Sequence, residues 1–108
     1  MQECRDVSLA PSTTMRVGGP AARLVSASTT DDVLQAVRDA DAAGEPLLVL
    51  SGGSNLVVAD AGFPGTVLHL ATYGVHVESA DRCAGVSLRV AAGEDWDRLV
   101  SRAVAEGW

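Results

Sequence analysis

Apolar residues recur along this chain with two periods, and the switches between them outline its elements. Thr13-Thr14-Met15-Arg16-Val17 predicts a short strand that stops at Gly18-Gly19-Pro20, and Ala22-Arg23-Leu24-Val25-Ser26 alternates loosely, as a strand with one buried face does. The period then becomes helical. Ser28-Thr29-Thr30-Asp31-Asp32 supplies hydroxyl caps and first-turn carboxylates. Val33, Leu34, Val37 and Ala40 share one face, with Gln35, Arg38 and Asp39 on the other. Gly44 ends this helix and Pro46 blocks its continuation. Short apolar runs at Leu47–Leu50, Leu56–Ala59 and Thr66–Leu70 predict strands, with Asp60–Gly65 as a turn. Val75–Ser79 and Val86–Ala91 read as hairpin arms around Asp81–Gly85. Gly93 and Asp95 open a second helix, whose Trp96, Leu99, Val100, Ala103 and Val104 form an amphipathic stripe, with Trp96 expected in the core; Gly107 stands where a C-terminal cap belongs.

Strand, strand, helix, several strands, helix is an α+β arrangement in which the first helix is expected to cross over between neighbouring strands. Residues 1–12 show no period and are read as an irregular lead-in to one domain over residues 13–108. With 108 residues the chain has room for a single modest core. Two features suggest the first part of something longer. The second helix ends at the last residue, Trp108, and no acid–base pair, nucleophile–base set or metal cluster can be assembled.

Composition changes the picture mainly by exclusion. A net charge of −6 argues against a nucleic-acid surface. No apolar run approaches the ~20 residues of a membrane span, and no secretory leader opens the chain, so a cytoplasmic location is expected. Cys4 and Cys83 are isolated and read as reduced thiols. His69 and His76 have no partner at metal-ligand spacing, so no metal is expected, and both are read as packing or surface residues.

The most informative chemistry lies in Ser51-Gly52-Gly53-Ser54-Asn55, between two apolar runs. Glycines let backbone N–H groups approach an anion, and Ser54 and Asn55 add a hydroxyl and an amide. The chain has no lysine, which excludes a P-loop, and the Gly-x-Gly-x-x-Gly dinucleotide spacing is absent. From the residues alone the segment is either a plain turn or a phosphate cradle.

Four motifs come in order: Thr13-Thr14-Met15-Arg16-Val17-Gly18-Gly19-Pro20-Ala21, Gly52-Gly53-Ser54-Asn55-Leu56, Gly62-Phe63-Pro64-Gly65-Thr66-Val67, and Ala91-Ala92-Gly93-Glu94-Asp95-Trp96. Together they resemble the N-terminal part of the UDP-N-acetylenolpyruvoylglucosamine reductase family from about Leu9 onward. The resemblance implies the N-terminal lobe, here incomplete, of an FAD-binding domain of the vanillyl-alcohol-oxidase (PCMH) type. It implies that Ser51, Gly52, Gly53, Ser54 and Asn55 contact the FAD diphosphate. It also implies reduction of UDP-N-acetylglucosamine enolpyruvate with NADPH as hydride donor, in peptidoglycan precursor synthesis. The family's catalytic serine, arginine and glutamate match no residue here, so no catalytic residue is expected and the UDP-sugar and NADPH would need the remainder. Ser51 stands where many members have glycine. Arg16 is read as either a structural ion pair or a contact near the cofactor, and Gly18 and Gly19 as a turn with unusual φ rather than ligand-binding residues. Thr72 and Tyr73 are read as loop residues rather than cofactor flanks, and Gly93 as a helix-entry turn rather than a flavin neighbour. This family does not use the histidyl–flavin link found elsewhere in the fold. Two alternatives stay open: the FAD lobe of another oxidoreductase of this fold, or a short module that binds a nucleotide or a protein without catalysis.

Overall fold

A computed structural model describes all 108 residues. Its framework is a four-stranded sheet built from β1 (Gln2–Ser8), β2 (Pro20–Ala27), β3 (Leu47–Leu50) and β4 (Phe63–Leu70), in the order β1-β2-β4-β3. β1 runs antiparallel to β2, while β2, β4 and β3 run parallel. A separate hairpin joins β5 (Val75–Asp81) to β6 (Gly85–Val90).

The helix between β2 and β3 is α1 (Thr30–Ala43). Its Thr29 cap accepts the Asp32 N–H, and the Asp32 carboxylate accepts the Thr29 N–H in return, a complete capping box. Gly44 closes it in the left-handed conformation, as expected. α1 does not connect neighbouring strands, because β4 lies between β2 and β3. Two small cores result from side-chain alternation and from the register shift between Ala21 and Arg23, which turns Ala21 to the opposite face from Val25. Val25, Ala27 and Leu68 meet Ala36 of α1 on one face; Leu9, Ala21, Leu50, Val58 and Val67 pack on the other.

Three expected features differ. Residues 1–12 are not irregular: β1 and a 3-10 turn, Ala10–Ser12, occupy most of them, and Leu9 is fully buried. The strand shows no period because both its faces are largely exposed, and it is held by backbone pairing to β2. Thr13–Val17 is a turn, since β1 already occupies the edge of β2 it would need. Leu56–Ala59 is not a strand either: it lies in the crossover from β3 to β4 and pairs with no strand, and the outer edge of β3 stays open. Val58 still anchors the segment in the core.

The largest correction concerns α2 (Trp96–Glu106). Asp95 caps it and Gly107 ends it, but none of its residues is buried; Trp96 is 71% exposed and Val104 77%. The stripe is real and faces solvent, because no sheet or helix face is presented to it. The Cα radius of gyration, 16.4 Å, exceeds the roughly 13 Å of a compact domain this size. No helix is long and apolar enough to cross a membrane.

Candidate functional site

Parallel strands cannot be joined by a tight hairpin, so the link from β3 to β4 must travel the height of the sheet. Here residues 51–62 make that crossover without a helix, and the glycine segment is its first part, leaving the C-terminal end of β3. In open parallel sheets, ligands bind beyond the carboxyl ends of the strands.

The segment is fastened on two sides. The Thr14 N–H donates to the Gly53 carbonyl at 3.1 Å, and the Ser51 hydroxyl donates to the Ala92 carbonyl at 2.7 Å. Gly53 has φ +70°, and a Cβ there would collide with the Ser12 carbonyl. This position therefore needs glycine for both conformation and space. Gly52 is the opposite case: a Cβ there would meet nothing within 4 Å. Its open side faces the concave surface.

Hydrogen-bond accounting gives the site its chemistry. Carbonyls of this crossover accept bonds from Thr14, Gly19 and Gly62, yet no backbone N–H from Gly52 to Ala61 donates to a protein acceptor. Consecutive N–H groups left without acceptors form a surface of partial positive charge that suits an anion. The residues thus fit a diphosphate without a metal, and no group of three metal-ligating side chains is present.

Several concavities meet at Ser51 and Gly52. One, of about 380 Å³, is lined by Pro11–Thr14, Ser51, Gly52 and His69. A second, of about 290 Å³, adds Leu70, Tyr73, Gly93, Glu94, Asp95 and Arg98. A third, of about 610 Å³, joins Thr14, Ser51, Gly52 and Ser54 to the first turn of α2. Gly93 lets the strand-to-helix connection close on the end of β4, since a Cβ there would press on the Leu70 and Thr72 carbonyls. Two of the three carboxylates in these walls are engaged, Glu94 accepting the Gly74 N–H at 2.7 Å and Asp95 the Arg98 N–H at 2.9 Å, while Asp97 lines the third concavity without a protein partner.

Of the expected site residues, Ser51, Gly52 and Ser54 share the largest of these concavities, while Gly53 and Asn55 line only the loop's own hollow of about 310 Å³. The Ser51 hydroxyl spends its proton on Ala92. Arg16 is exposed with φ +56° in the turn beneath the loop, and Gly18 has φ +142° against Val58. Sequence reasoning missed Ser12, Thr13 and His69 as wall residues. The signal for His69 was a polar side chain at an apolar position of a strand.

Residues 21–108 match the family described as "FAD binding domain". The chain belongs to that family, and FAD is its cofactor. More particularly, it is 52% identical over 103 residues to a UDP-N-acetylenolpyruvoylglucosamine reductase of Cutibacterium acnes, covering 95% of this chain and 27% of that protein. It is 50% identical over 107 residues to the same enzyme of Streptomyces coelicolor, covering 99% and 26%. The crystal structure of the Thermus caldophilus UDP-N-acetylenolpyruvylglucosamine reductase superposes with a TM-score of 0.68 at 30% identity, covering 98% of this chain and 34% of that one. The chain spans about a quarter of the length of these curated relatives.

Proposed function

We propose that this chain is the FAD-diphosphate-holding part of an NADPH-dependent UDP-N-acetylenolpyruvoylglucosamine reductase. Ser51, Gly52, Gly53, Ser54 and Asn55 form the cradle. The observation that carries this reading is the run of unpartnered N–H groups starting at Gly52, next to open space. The names of the similar reductases support the substrate, the enolpyruvyl UDP-sugar, and NADPH as donor rests on the resemblance in sequence motifs. The step would belong to peptidoglycan precursor synthesis in the cytoplasm.

FAD supplies the redox chemistry when bound. The residues of this chain bind and orient. Gly53 fixes the loop against Ser12, Gly52 admits the anion, and the N–H groups compensate its charge. Ser51 ties the loop to the segment ahead of α2. No side chain here is assigned a role in making or breaking bonds.

The test is Gly52→Val in the full-length protein. The parent is expected to take up FAD and to oxidise NADPH when given the enolpyruvyl substrate. The variant should melt at the same temperature without flavin, because its side chain enters open space, yet lose FAD uptake. A parent protein that takes up no flavin would sink the reading, as would a variant that binds FAD as well as the parent.

A further inference from the structure

We propose that His69 is a second anion-contacting group of the same cradle and that Ser26 is its positioning residue; the inference rests on the loop reading above. Sheet register carries it. Side chains alternate along each strand, so Val67 and His69 of β4 share the face opposite α1, as do Leu24 and Ser26 of β2. Val67 and Leu24 use that face for the core. One pleat further, at the carboxyl end of the sheet, the same face carries two polar side chains paired in register, Ser26 and His69. Their bond, Ser26 Oγ to His69 Nδ1 at 3.2 Å, satisfies both where apolar side chains would otherwise continue the core.

That bond also occupies one of the two ring nitrogens. With the serine hydroxyl donating, a neutral ring keeps its proton on Nε2, leaving a donor for a ligand. His69 lines two of the concavities that meet at Ser51 and Gly52. In the first, it is the one lining side chain able to carry positive charge, beside Pro11, Ser12, Thr13 and Thr14. In the second it faces Tyr73, Glu94, Asp95 and Arg98, and the two carboxylates already hold N–H donors. An anion seated at Gly52 therefore has His69 among the walls of the same concavity, and a donor to a charged oxygen makes a strong hydrogen bond.

The test uses the full-length protein and three readouts: FAD affinity by flavin fluorescence, the unfolding midpoint without FAD, and the ³¹P resonances of bound FAD. His69→Phe keeps a ring and removes the donor. FAD affinity should fall about ten- to hundredfold, the range for a hydrogen bond to a charged group. The ³¹P resonances should move, and the flavin-free midpoint should not. Ser26→Ala should weaken binding less, and should add nothing in the His69→Phe background. If His69→Phe does not fold, His69→Asn replaces it, since its shorter side chain can still meet Ser26 but falls short of the ligand. Unchanged affinity in a folded His69 variant, with binding lost in Gly52→Val, would overturn this proposal and leave the loop reading standing. Weakened affinity with a lowered midpoint and unmoved ³¹P resonances would also overturn it, as a purely structural role. FAD binding unchanged in both variants would remove the two together.

Discussion

Two adjacent glycines do different work. Gly53 combines a left-handed backbone with contact against the Ser12 carbonyl, whereas Gly52 borders open space in an ordinary conformation. Gly53→Ala is therefore expected to destabilise the protein by about 1–3 kcal/mol and to displace the loop, since both strain and collision oppose the methyl. Denaturant unfolding of Gly53→Ala beside Gly52→Ala checks this; the latter should unfold like the parent. Asp32 gives a second residue-scale outcome. Burial opposes its charged form, but hydrogen bonds from Thr29 and Ser28 outweigh that and hold its carboxyl below the usual range. A carboxyl lowered in the folded state contributes stability above the unfolded value, about 4, and loses it as pH falls through the folded value. The stability gap between the parent and Asp32→Asn should thus close on the acid side. Melting curves from neutral pH down to about pH 3 would reveal it.

At the scale of elements, α1 and α2 carry the same kind of pattern and meet different fates. Both have a capping side chain, a left-handed glycine at the C-terminus and an amphipathic stripe. α1 buries Ala36 and Ala40 against the sheet, and α2 buries nothing. An amphipathic period states only that a helix has an apolar side, and the presence of a matching surface depends on where the chain leads it. Most helical stability comes from packing that face, so α2 should be the weaker helix. Thr29→Ala should cost about 1 kcal/mol, because the cap of α1 is coupled to a packed core. Thermal denaturation followed by far-ultraviolet circular dichroism measures it.

Over the whole molecule, stability is uneven. The four-stranded sheet and α1 hold both cores, while β5–β6 and α2 contribute no residue to either. The Ser51–Ala92 bond ties them to the loop after β3, whereas the bonds of Gly74 with Ala91 and Glu94 only hold the start of β5 to the segment ahead of α2. Local opening scales inversely with buried apolar contact. Hydrogen exchange on the 108-residue chain should therefore be fast across residues 75–106 and slow in β2 and β4. Equal protection throughout would contradict this division.

The sequence by itself determined the local elements whose cause is local. The α1 start at Thr29 and stop at Gly44, the β5–β6 hairpin, and the caps of α2 at Asp95 and Gly107 all follow from residues within a turn of one another. It also singled out Ser51–Asn55, through glycines and short polar side chains in a row. Tertiary structure alone decided the rest, because pairing depends on where the chain carries each segment relative to the other strands. It made a strand of the polar Gln2–Ser8, denied one to Thr13–Val17 and Leu56–Ala59, and set β4 between β2 and β3. The same ordering brings Thr14, His69 and Gly93, distant in sequence, around Gly52, and it leaves Trp96 in solvent.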